Sequence, residues 1–157
     1  MMLHMAPSPR STSPSPSLSP RLRHALSLTL FVSEKVEAEF LTGHKVDTLT
    51  DAFKASVKLR EISSCRTVIL TLGSRGAVVA DQDQDPVHVA AEKVKAVDSV
   101  GAGDAFVGAF AHFSCNGLST LESCRRACVV ASASVTKMGT QNSYPTLDEL
   151  PEAVRAM

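Results

Sequence analysis

Residues 67–72 read TVILTL, a β-branched and apolar run with no polar face. A half-exposed strand would alternate apolar with polar residues. This run instead predicts a strand covered on both sides, as in a sheet layered between helices. It breaks at Gly73-Ser-Arg-Gly76 and resumes over residues 77–80 (AVVA). A polar turn follows at 81–86 (DQDQDP), its charges solvated. Residues 87–89 (VHV) alternate like a strand, and 92–97 (EKVKAV) read as another.

Helical patterns flank these strands. Residues 33–42 (SEKVEAEFLT) predict a short helix closed by Gly43. Thr48-Leu-Thr-Asp51 is a capping box, opening a helix with a stripe of Leu49, Phe53, Val57 and Leu59. An apolar helix is expected from Asp104 to about His112. Ser119 and Glu122 form a second box for a helix running to about Lys137, with Gly139 beyond it. Residues 140–145 read as loop, and Thr146 begins a short terminal helix. Helices alternating with apolar strands predict an α/β layered fold.

The chain has 157 residues, the size of one ordinary domain, with 16 Lys+Arg balancing 16 Asp+Glu. That balance gives no bulk electrostatic reason to bind nucleic acid or an anionic membrane. Apolar runs fall far short of the about 20 residues a bilayer span needs. With aromatics at 4% the core must be aliphatic. No acidic residue precedes Glu34, while Arg10, Arg21 and Arg23 are basic and residues 6–20 are Pro/Ser low complexity. Residues 1–24 are therefore expected to be a disordered leader and 25–157 the folded part. Arg and Ser without acids also suit an organelle transit segment. Cys65, Cys115, Cys124 and Cys128 form no CxxC and fit reduced thiols; Cys124 and Cys128 lie one turn apart without the further ligands zinc needs.

The densest chemical signal is AVDSVGAGDAFVG at 96–108. Two glycines directly before a helix let backbone N–H groups approach an anion, and the helix N-terminus adds partial positive charge. Asp104 falls in the first helical turn, where a carboxylate can take the proton of an attacking hydroxyl while the amides accept developing charge. No GxxxxGK[ST] is present, and Phe106 stands where GxGxxG needs glycine. By itself the pattern reads equally as an Asp capping a helix after a turn.

VDSVGAGDAFVGAF resembles the DTxGAGD signature of the ribokinase (PfkB-type) carbohydrate kinases. TLGSRGAVV resembles their nucleotide-binding strand-turn-strand, VEAEFLTG the stretch carrying their NxxE element, and KMGTQNSYP their C-terminal cation loop. The resemblance runs from about residue 30 to 151 and is strongest to the ribokinase branch. It implies a ribokinase-like, Rossmann-like α/β fold and an ATP-dependent phosphorylation of D-ribose at its 5-hydroxyl. By resemblance Asp104 is the catalytic base and sugar contact, and Gly101, Ala102 and Gly103 form the anion hole. Glu34, Thr71, Leu72, Gly73, Ser74, Arg75, Gly76, Gly103, Asp104 and Cys128 match the ATP site. Glu37 matches the residue that organises Mg²⁺ and its waters. Asp98, Val100, Ser134, Lys137, Gly139 and Ser143 match a K⁺ site, mostly through backbone carbonyls. Cytoplasmic location is expected, with the nucleus or an organelle as alternatives, and a homodimer in full-length members.

The chain departs from the family's pattern in three ways. Glu34 replaces the Asn of NxxE and puts a carboxylate before the triphosphate. Cys128 replaces a polar residue near the adenine. The sequence matches only the C-terminal, nucleotide-binding half of the family, so the sugar-binding half is expected to be missing and apolar edges exposed. The alternative function is then a catalytically incompetent remnant that binds nucleotide weakly or associates with an intact subunit.

Overall fold

The computed structural model describes residues 30–155; the leader at 1–24 and residues 25–29 lie outside them. Four strands form one sheet in the order β1 (Leu30–Glu34), β2 (Thr67–Thr71), β3 (Ala77–Asp81), β4 (Val87–Val89). β1 runs parallel to β2, while β2–β3 and β3–β4 are antiparallel. Helices α1 (Lys35–Thr42) and α2 (Leu49–Ser63) follow β1; α3 (Ala102–Cys115), α4 (Thr120–Ser134) and the single turn α5 (Glu152–Arg155) come after β4.

The two-sided apolarity of β2 has the predicted cause. Val68 and Leu70 point into one core with Ala52, Ala55 and Leu59 of α2 and Val78 of β3. Ile69 points into the other, with Val79, Phe106 and Phe110 of α3, and Cys124, Ala127 and Cys128 of α4. The sheet is thus a middle layer, α1 and α2 covering one face and α3 and α4 the other. Each core is mainly aliphatic, and the α3 phenylalanines Phe106 and Phe110 stack with centroids 6.4 Å apart.

Local signals set most boundaries. Thr48 Oγ1 accepts the Asp51 amide at 3.1 Å while Asp51 Oδ2 accepts the Thr48 amide at 2.9 Å. Gly43 ends α1 in the left-handed region at φ 71°. Ser119 caps α4 by accepting the Glu122 amide.

Five expectations are corrected. The helix expected at 33–42 starts at Lys35, because residues 30–34 join the sheet first. Residues 92–97 form no strand: they pair with no strand among the described residues, and Val94 and Val97 are exposed. The α2 face in the core is Ala52, Ala55, Ser56 and Leu59; Leu49 is exposed. The helix expected from Asp104 begins at Ala102, and the one expected to reach Lys137 ends at Ser134. Among the described residues β1 is the sheet edge, and Val36 and Phe40 on α1 are exposed, Phe40 to 88%.

Candidate functional site

The loop before α3 is shaped by Gly101, which lies at φ 84° as the residue capping the helix. Its hydrogen lies against Thr140 and the Tyr144 hydroxyl, where a Cβ would come within 3.3 Å of both. Glycine is needed there on two counts, conformation and space. The turn makes Asp104 the third helical residue and leaves donors unspent. Ala102 gives its N–H to Ser99 O at 3.2 Å, whereas the N–H groups of Gly101, Gly103 and Asp104 have no acceptor among the described residues. Of the three residues expected to form an anion hole, Gly101 and Gly103 have unengaged amides and Ala102 does not, while the Asp104 amide is unengaged as well. Free donors at a helix N-terminus favour an anion.

A cavity of about 560 Å³ opens beside this terminus. Its floor is the sheet's end and the turn after β2, through Thr71, Gly73, Ser74 and Gly76. One wall is α4, through Cys128, Ala131 and Ser132; the other is the irregular segment at 91–96. Glu34, Lys35, Ala102 and Gly103 close the polar end. The structure thus gathers Glu34, Thr71, Gly73, Ser74, Gly76, Gly103 and Cys128 around one hollow.

Two residues assigned to that site turn their side chains elsewhere. Leu72 is buried in the α2-side core. The Arg75 guanidinium donates to the carbonyls of Asp47 and Val46 at 2.8 and 3.1 Å. Gly76 borders the cavity, but its own chain dictates the glycine: a Cβ there would sit 2.0 Å from Val89 O.

Asp104 is exposed and faces the opposite side of the α3 terminus from Gly103. It borders a second hollow of about 430 Å³ whose walls include Gly108, Ala109, His112, Phe113 and Tyr144. The start of α3 is therefore a ridge, with a cavity suited to a large ligand on one side and a solvent-facing carboxylate on the other.

The residues expected to hold K⁺ converge behind that ridge. Asp98 accepts the Val100 amide on one oxygen and the Gly139 amide on the other, each at 3.0 Å. These two backbone hydrogen bonds, Val100 first, hold its carboxyl below the usual carboxylate range. Val97 and Asp98 donate to Val135 O, pinning the loop to the end of α4. Ser134 and Ser143 are buried, their hydroxyls donating to Ala131 O and Thr140 O. Lys137 Nζ pairs with Glu149 instead of pointing inward. Asp98 and the two serines carry hard oxygen atoms, the donor type that an alkali cation requires.

Glu37 uses Oε2 to accept the Glu34 amide at 3.0 Å and the Ser33 hydroxyl at 3.3 Å, which fixes the start of α1. Among the described residues no three His, Cys, Asp or Glu side chains are grouped to hold a metal. Magnesium fits here only as one or two carboxylates sharing it with ligand phosphates, its usual mode. Cys124 and Cys128 are buried in one core, and the neighbouring Cys128 thiol together with burial pushes the Cys124 thiol up.

Sequence reasoning missed Lys35, Lys93, Ser99, Ser132 and Val135 among the lining residues. Ser132 and Val135 were legible from helical spacing, four and seven residues after Cys128. Lys93 was hidden by reading 92–97 as a strand.

Residues 5–147 match the pfkB family of carbohydrate kinases. The chain is 43% identical to mouse ribokinase over 129 residues, covering 80% of this chain and 40% of that protein. It is 38% identical to a deoxyribokinase of Salmonella typhi over 131 residues, covering 83% and 42%. The structure of Arabidopsis thaliana ribokinase complexed with ribose and ATP superposes with a TM-score of 0.72 at 27% identity, over 82% of this chain and 41% of that one. The chain thus spans about two fifths of the length of these relatives.

Proposed function

Because this chain belongs to the pfkB family of carbohydrate kinases and has the ribokinase-like α/β fold, we propose that it serves ATP-dependent phosphoryl transfer to a pentose, D-ribose foremost, at the 5-hydroxyl. The observation that carries this reading is the ridge at the start of α3. A nucleotide-sized cavity bordered by Gly103 lies on one side and the Asp104 carboxylate on the other, with the unspent amides of Gly101, Gly103 and Asp104 at the terminus between them.

In this reading the adenosine end lies between Cys128, Ser132 and residues 91–96, and the triphosphate runs toward Gly103. The amides of Gly101, Gly103 and Asp104 take up charge on the transferring group. Asp104 accepts the proton of the attacking hydroxyl, arriving from the opposite side so that attack is in line. Magnesium, bound with the nucleotide, supplies charge neutralisation of the phosphates. Glu37 would hold its waters through Oε1, since Oε2 is engaged in fixing α1. Potassium would sit among Asp98, Val100, Ser134, Lys137, Gly139 and Ser143, where it stiffens the loop that presents the anion hole.

Ribose is favoured because ribokinases are prominent among the relatives, and the deoxyribokinase likeness makes 2-deoxyribose the natural competitor. A second reading has one specific support: the hollow that Asp104 borders is lined mainly by apolar residues such as Ala105, Ala109, Phe113, Leu147 and Val154, with His112, Tyr144 and Arg155 as its other polar side chains. On that reading the chain binds nucleotide, and sugar contacts come from outside the described residues or from an associated subunit. The deciding assay is coupled ADP release with ATP, Mg²⁺, K⁺ and D-ribose or 2-deoxyribose. Sugar-dependent turnover that disappears in Asp104→Asn supports the kinase. Nucleotide binding without turnover supports the second reading.

A further inference from the structure

Glu34 is the residue before α1 and caps that helix from the strand side. Its carboxylate also crosses to α3: a Cβ on Gly103 would lie only 2.9 Å from Glu34 Oε1. One carboxylate therefore sits where the positive ends of two helices converge, beside a donor that the Proposed function assigns to phosphate. No Lys or Arg nitrogen comes within 4 Å of it among the described residues; the neighbouring Lys35 pairs with Glu39 and Asp47 at 3.6 and 3.5 Å. Any polyphosphate entering this end of the cavity meets a carboxylate that no Lys or Arg side chain pairs with, close against Gly103.

We infer that Glu34 is a charge gate on the anion site, admitting a polyphosphate as its divalent-metal complex and rejecting the metal-free anion. The inference rests on the nucleotide reading above. A free triphosphate brings up to four negative charges against Glu34, whereas the magnesium complex brings about half of them to the same position. Discrimination comes from repulsion of the wrong form, not from a contact unique to the right one. A unit charge at this range in a partly exposed site changes affinity by about tenfold, and salt weakens the effect.

The experiment is calorimetric titration of ATP into the chain, once with Mg²⁺ and once with chelator. The proteins are the parent chain, Glu34→Gln, Glu34→Asn as a second neutral variant, and Glu61→Gln as a charge-matched control on the far side of α2. Metal-free ATP should bind about tenfold tighter in both Glu34 variants and Mg·ATP only about threefold tighter, so that discrimination narrows, with Glu61→Gln unchanged. The gain should shrink as ionic strength rises. Unchanged discrimination in variants that still bind Mg·ATP would overturn the gate and leave the nucleotide reading standing. A loss of Mg·ATP affinity would also overturn it, since Glu34 would then be a metal ligand. Absence of nucleotide binding in every protein would overturn the nucleotide reading, and the gate with it.

Discussion

Asp104 and Gly76 show how differently two residues of one motif set can be constrained. Asp104 is exposed and shapes nothing around it, so Asp104→Asn should leave the unfolding free energy within about 0.5 kcal/mol of the parent while abolishing any sugar-dependent ADP release. Gly76 is the reverse: it lies at φ 93°, and a side chain would collide with Val89 O and the backbone of residues 90 and 91. Backbone cannot yield as a flexible side chain can. Gly76→Ala should cost about 3–5 kcal/mol by denaturant unfolding, against about 1 kcal/mol for Gly73→Ala, which has a left-handed φ but open space.

Asp98 gives the loop before α3 its own pH dependence. Its folded pKa is depressed by the amides of Val100 and Gly139, so the ionised form is bound more tightly in the folded state. The stabilisation is fully present above the ordinary Asp value of about 4 and is lost as pH falls through the lower folded value. Amide exchange at Val100 and Gly139 should therefore accelerate below about pH 4 before the sheet amides respond. Simultaneous loss of both sets would contradict this.

Elements were legible where a local chemical device marks them. The Thr48–Asp51 box opens α2 as read, and Thr48→Ala should destabilise the chain by about 1 kcal/mol, measured by chemical denaturation. The two-sided apolarity of β2 correctly indicated helices on both faces. Periodicity failed where burial and pattern part company. EKVKAV alternates as a strand would, yet Val94 and Val97 are exposed and the segment serves as a cavity wall. Leu30–Glu34 is a short edge strand with half-buried side chains on both faces, so no alternation announced it, and its last residues resembled a helix start. At the site, Gly101, Gly103 and Asp104 were visible as a glycine-spaced helix start. That Ala102 spends its amide on Ser99, and that Leu72 and Arg75 turn away, depends on tertiary placement that no spacing encodes.

At the scale of the whole molecule, the sheet works as a platform. Its end, the turn at 73–76 and the α4 face surround one hollow, and the helix that supplies free amides also supplies the carboxylate across the ridge. Ligand binding at the end of a layered α/β sheet, against a helix N-terminus, follows the general logic of such folds. The 97–98 backbone bonds to Val135 O and the Asp98 bonds to residues 100 and 139 tie this helix start to the C-terminal segment, so the site moves as one body with α4.

The central claim is that the α3 terminus and the adjoining hollow form a nucleotide site. Its most direct test is an amide-resolved NMR titration of the chain with Mg·ATP. The account predicts saturable shifts at Gly73, Ser74, Gly101, Gly103 and Asp104, accompanied by residues 128 and 132 on α4, with α2 unaffected. Shifts absent from residues 101–104, or centred on α2 and the sheet face it covers, would contradict it.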